Sequence, residues 1–169
     1  MPPSPSLEDR YIGVLLGLAC GDAVGATTSF LYRGEFTPIT DMVGGGIHDL
    51  APGRWTDDTS MAVAIAETAA TGADLRDESA ADDIVARWYE WSRTAKDIGV
   101  QTSRVLSAAA RAEISARTAR AESEALHRAT GRSAGNGSLM RTAPVALAYL
   151  DDADGLVQAA RTISELTHF

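Results

Sequence analysis

Between Asp57 and about Ala70 the apolar residues Met61, Ala62, Ile65, Ala66 and Ala69 recur at i, i+3 and i+4, the spacing of one helix face. No segment of useful length alternates apolar and polar residues as a half-buried strand must. These two facts restrict the 169-residue chain to an all-α fold. Further helices are expected at 79–93, 99–113, 116–129, 138–149 and 154–166, separated by Gly-bearing segments, with Pro144 kinking or restarting the fifth of these.

The start of the chain is less regular. Residues 1–6, MPPSPS, read as a disordered lead-in, and residues 7–169 as one unit. From Leu7 to about Ala26 apolar residues occupy several faces, with Gly13, Gly17, Gly21 and Gly25 four apart. Glycines at that spacing share one side of a helix and let another backbone approach, so a buried first helix is expected. Residues 27–53 contain Pro38, Pro52 and Gly44-Gly45-Gly46 and read as a long loop. The chain stops at ISELTHF on a helical pattern without a Gly cap, which leads us to expect a fragment or one of two chains.

Composition narrows the partners. A formal charge of -8, with Lys96 as the single lysine, disfavours binding to nucleic acid, which needs clustered cations. Cys20 is alone, so neither an intrachain disulfide nor a thiolate metal cluster can form, and a cytoplasmic setting is the expectation. No basic leader precedes the apolar run at Tyr11–Cys20, which Asp22 interrupts before it reaches bilayer length; no membrane role is expected.

Four short motifs carry chemistry. In GRWTDDTSM, Thr56 has the chemistry of an N-cap, and Asp57 and Asp58 are favoured in a first helical turn by the helix dipole. The same hydroxyl and two carboxylates are hard oxygen donors suited to Mg²⁺ or Mn²⁺. In SAGNGSLMR, Gly135 and Gly137 allow close approach of a ligand, and amides from Ser138 onward, at a helix start, would suit diphosphate; a plain helix-entry loop has the same pattern. KDIG places Asp97 between two helices as a cap or a catalytic group. The fourth motif is Thr167-His168, although His48, His127 and His168 share no metal-ligand spacing.

Taken in order, GLACGDAVGA, GRWTDDTSM, KDIG, AGNGSLMR and LTH resemble the ADP-ribosylglycohydrolase family, over about Gly13 to His168. The resemblance implies an all-α fold and a binuclear Mg²⁺ or Mn²⁺ centre. It also implies hydrolysis of the bond between ADP-ribose and a protein side chain or small acceptor. It assigns Thr56, Asp57 and Asp58 as metal ligands and Asp58 and Asp97 as catalytic positions. Asn136, Gly137, Ser138, Met140, Arg141 and His168, the last preceded by Thr167, fall on the residues that cradle ADP-ribose.

Three departures accompany it. The family's Asn after the D-I-G stretch falls on Val100. Its Glu after G-D-A-x-G falls on Ser29, whose neutral hydroxyl is no general acid or base of matched pKa; Glu35 lies six residues on. The family's second D-x-D-T ligand run lies beyond this chain, so residues 7–169 resemble an N-terminal half whose metal centre is completed by a C-terminal half or second polypeptide. The alternatives are an ADP-ribose-binding module without turnover, and a helical scaffold in which the Asp residues only cap.

Overall fold

A computed structural model of the protein describes residues 4–169, and these form an all-α fold. The seven α-helices among them are α1 (Leu7–Gly25), α2 (Asp57–Ala70), α3 (Glu78–Ser92), α4 (Val100–Ala109), α5 (Ala116–Thr130), α6 (Ala143–Ala148) and α7 (Ala153–Glu165). The only β-type pairing among the described residues is an isolated bridge between Gly45 and Leu50. Residues 1–3 of the expected lead-in lie outside the described residues, but Ser6 belongs to the fold. Its hydroxyl accepts from Asp9 N while Asp9 reaches back to the Ser6 amide, a capping box that starts α1.

α2 is the central helix, packed against α1, α3 and α6. Its expected face is the buried one: Met61 and Ile65 are fully enclosed, each such side chain contributing roughly 1.5–3 kcal/mol of apolar transfer. Trp88 of α3 fills the space beside it and donates its indole N–H to Met61 O at 3.0 Å. Leu106 of α4, with Ile163 and Leu166 near the end of the chain, closes the same core.

Two expected helices differ in length. α4 stops at Ala109 instead of 113, since Arg111, Ala112 and Glu113 turn back in i→i+3 and i→i+4 bonds outside a helix. The expected helix 138–149 divides into a 3-10 turn, Leu139–Arg141, and the short α6, with Pro144 in the first turn of α6, where its missing N–H costs nothing.

The first helix corrects an expectation. α1 forms as predicted, but only Ala23 is buried, while Leu7, Ile12 and Leu16 are 57%, 49% and 59% exposed. A Cβ added at Gly13, Gly17, Gly21 or Gly25 would meet nothing within 4 Å, so no backbone uses the glycine row among the described residues. The physical reason is that α1 is apolar around its whole circumference, and α2 and α6 cover one side only. Leu15, Leu16, Ala19, Trp55, Val63 and Ala66 line an open apolar groove of about 400 Å³ between α1 and α2.

By length and composition alone, Leu7–Thr28 is also apolar enough to cross a bilayer, against the expectation that Asp22 would cut the run short. The helix is nonetheless tied into the bundle at both ends. Tyr11 donates to Leu147 O at 3.0 Å, and Asp22 accepts from the start of α2.

Candidate active site

The start of α2, the 97–102 segment, the 135–137 loop and the last residues of the chain meet at one cleft of about 620 Å³. Thr56, Asp57, Asp58, Asp97, Asn136, Gly137, Met140 and His168 all line it, so most of the sequence-predicted site residues come together. Ser29 and Val100, the two departures, line it as well.

Thr56 occupies the N-cap position of α2, yet its side chain makes no capping bond. The cap comes from α1. Asp22 Oδ2 accepts from Thr56 N at 2.9 Å and from Thr59 N at 3.1 Å, and Asp22 Oδ1 accepts the Thr56 hydroxyl at 2.7 Å. In sequence Asp22 stands out only as the charge that interrupts an apolar run, because a partner 34 positions away leaves no local signal.

Asp57 Oδ2 accepts from Gly99 N at 3.0 Å, which fastens the Asp97 segment to the start of α2. Burial is the largest influence raising the Asp57 pKa; the Gly99 bond opposes it and the charge of Asp97 adds to it. Asp58 is pushed up to about 6, by burial first and then by Asp22 and Asp57. Carboxylates that repel one another in a partly desolvated cleft form a site that favours a cation.

The donors, one hydroxyl and two carboxylates, fit a hard divalent ion in chemistry. Among the described residues no three His, Cys, Asp or Glu side chains gather closely enough to hold one. What this chain offers is therefore a partial set.

On the opposite wall, the glycine loop packs on an imidazole. A Cβ at Gly137 would lie 2.7 Å from His168 Cε1 and 2.9 Å from Nε2, so only glycine fits without moving the ring. His168 Nδ1 lies 2.8 Å from Thr167 Oγ1, which itself accepts from Arg141 at 2.8 Å. The tautomer that gives the hydroxyl hydrogen a partner has Nδ1 accepting and Nε2–H turned to the loop. Gln101 bridges the same wall, donating to Ser133 O and Thr167 O.

His168 is held neutral: burial, then the charge of Arg141, pushes its pKa down to about 4. An unfolded histidine titrates near 6.5. Between about 6.5 and 4 the unfolded chain therefore takes up a proton that the native state refuses, and stability falls as the pH drops through that window. His168→Gln is expected to lose less melting temperature than the unsubstituted protein between pH 7 and pH 4.5; parallel curves would contradict this.

Two residues expected in the cradle are placed elsewhere. Arg141 is fully buried: its Nη2 donates to Ile163 O at 3.1 Å and to Thr167, and its guanidinium carbon lies 4.0 Å from the centre of the Trp88 ring. Burial lowers its pKa to about 9, and its Nε has no partner. Ser138 accepts from Ser164 Oγ at 2.9 Å and lies outside the main cleft. The expected helix start is absent too, because residues 139–141 form a 3-10 turn and Met140 N is committed to Asn136 O at 3.2 Å.

Sequence reasoning also missed Phe30 at the mouth of the cleft. It is 80% exposed, holds a left-handed φ of 68°, and meets His48 edge-on at 6.4 Å.

The model of the ADP-ribosylglycohydrolase family matches residues 3–169. The chain belongs to the ADP-ribosylglycohydrolase family. It is thus a member of a hydrolase family acting on ADP-ribose adducts of proteins. Similar proteins include an ADP-ribosylarginine hydrolase of Pseudomonas putida, 38% identical over 95% of this chain and 42% of the relative. The ADP-ribosyl-[dinitrogen reductase] glycohydrolase of Rhodospirillum rubrum is 34% identical over 97% of this chain and 53% of its own length. A solved structure described as an ADP-ribosylglycohydrolase-related protein complex superposes with a TM-score of 0.70 at 36% identity, over 96% of this chain and 50% of that one. The chain spans about half the length of these relatives and corresponds to their N-terminal portion.

Proposed function

We propose that this chain forms one wall of a Mg²⁺- or Mn²⁺-dependent ADP-ribosylglycohydrolase. Its substrate is an ADP-ribosylated protein side chain or small acceptor, and the C-terminal portion present in longer relatives completes the site. The observation that carries this reading is the convergence of three motifs, far apart in sequence, on one cleft with Asp57, Asp58 and Asp97 facing it.

Thr56, Asp57 and Asp58 hold their side of a two-ion centre, with the remaining ligands supplied by the complementary portion. When bound, such a centre supplies Lewis acidity and a water of lowered pKa. Asp97 accepts hydrogen bonds from ribose hydroxyls and orients the anomeric carbon. The 135–137 loop lines the cleft where the diphosphate lies, and neutral His168, packed against Gly137, backs that wall without adding charge. The complementary portion packs on the open apolar groove between α1 and α2, where the exposed Leu16 side chain awaits a helix. The enzyme works in the cytoplasm, without nucleic acid or membrane as partner.

One observation favours a second reading, an ADP-ribose-binding module without turnover. Ser29 lines the cleft where the family has Glu, and Glu35 does not replace it, since its carboxylate accepts from Tyr32 N on an exposed loop outside the cleft.

The test is co-expression with the C-terminal portion of the Rhodospirillum rubrum relative, then incubation with an ADP-ribosylated arginine peptide and Mn²⁺. Release of ADP-ribose, abolished by chelation, is the expected result. No release, with tight ADP-ribose binding by calorimetry, selects the module instead, and Ser29→Glu should then raise turnover. Leu16→Asp is expected to reduce recovery of the assembly. Unchanged recovery, self-association through Leu16, or vesicle binding through it would assign that groove another occupant.

A further inference from the structure

We infer that Asp22 is a positioning residue that turns Thr56 from a helix cap into a metal ligand; the inference rests on the divalent-ion reading above. An ordinary threonine N-cap aims its hydroxyl oxygen back at the amide of N2 or N3, here Thr59 N. In this protein Asp22 Oδ2 already takes that amide at 3.1 Å, together with Thr56 N at 2.9 Å and the Thr59 hydroxyl at 2.6 Å. The capping work is done from α1, and the Thr56 side chain is released from it.

What happens to the Thr56 hydroxyl follows from its inventory. It has one hydrogen and two lone pairs. Asp22 Oδ1 takes the hydrogen at 2.7 Å, and Thr56 is 8% exposed at the wall of the cleft. The oxygen is left as an acceptor only, in a fixed orientation, which is what coordination of a hard cation requires. The hydrogen bond to a carboxylate also increases the electron density on that oxygen, the effect that outer partners have on metal ligands generally.

Asp22 therefore binds two functions into one contact. It satisfies the first-turn amides of α2, and it keeps Thr56 from falling back into self-capping. Without the carboxylate the hydroxyl regains a competing partner in Thr59 N, so the helix survives while the ligand turns away. A structural cap alone would change stability and leave ion affinity untouched.

The experiment measures Mn²⁺ affinity by electron paramagnetic resonance of free Mn²⁺ on the assembled protein and on three variants: Asp22→Asn, Thr56→Val, and both together. Asp22→Asn keeps the shape but presents an amide N–H₂ to one of the converging donors. A loss of about 10–100-fold is expected for Asp22→Asn, the range for outer-partner removal, and the double variant should bind no more weakly than Thr56→Val alone. Affinity unchanged in Asp22→Asn overturns the inference. So does an additive double variant, which would make Asp22 a ligand in its own right.

Should Asp22→Asn not fold, Thr59→Val removes one of the donors that fix Asp22 and leaves the ligand run intact. It is expected to weaken Mn²⁺ binding, and unchanged affinity overturns the inference equally. Absence of Mn²⁺ uptake by the unsubstituted assembly rejects the divalent-ion reading itself, a result distinct from any of these.

Discussion

Asp57→Asn in the assembled enzyme is expected to lower kcat/KM for ADP-ribose release by at least about 10²-fold, the scale of losing a group that stabilises developing charge. The substitution keeps an oxygen to accept from Gly99 N, so the 97–102 segment stays fastened. What it removes is one of the charges that draw a cation into the cleft. Because burial and Asp97 both disfavour the ionised form of Asp57, neutralising it relieves repulsion in the ion-free protein. The melting temperature without metal is therefore expected to stay level or rise. Release of ADP-ribose followed by chromatography, beside a thermal melt, checks both; turnover within twofold of the unsubstituted enzyme would contradict the assignment.

Arg141→Ala is expected to have the opposite profile. The guanidinium is fully enclosed, stacked on Trp88, bonded to Ile163 O and Thr167, and 3.8 Å from the sulfur of Met61. Truncation leaves a cavity under Trp88 and strands two acceptors, a loss of about 3–5 kcal/mol. For a chain of this size that is roughly 6–20 °C in melting temperature. Arg141→Met, which refills the volume without a charge to bury, should cost less. ADP-ribose affinity of the folded Arg141→Met variant, measured by calorimetry, is expected to be preserved. A variant with an unshifted melt and no ADP-ribose binding would instead put Arg141 in the cradle.

These two residues show how far the sequence could be read. Asp57 follows a break and opens a clean helical pattern, so both its helix and its chemistry were accessible from neighbours alone, and it lies in the cleft. Arg141 sits in a motif that reads as ligand-binding, but its direction is fixed by Trp88, 53 positions earlier in the chain, and by Ile163 and Thr167, which no local pattern encodes. Asp22 was hidden for the same reason, its partners Thr56 and Thr59 lying on another helix.

Helix existence was legible where a single apolar stripe was present. α2 begins at Asp57 as expected, and Pro144 restarts α6 in its first turn because the ring excludes any other place. α1 was legible as a helix and illegible as to burial. Apolar residues on every face require covering surfaces on every side, and residues 4–169 provide them on one. This chain spans about half the length of its relatives.

The central claim is that the oxygens at the start of α2 serve a divalent ion as well as a helix. Crystals of the assembled protein grown with Mn²⁺ and measured at the manganese absorption edge test it directly. The account predicts anomalous density beside Thr56, Asp57 and Asp58, with Asp22 still holding the Thr56 hydroxyl. An assembly that diffracts well yet shows no anomalous peak at that wall, with the three side chains turned to solvent, would contradict it.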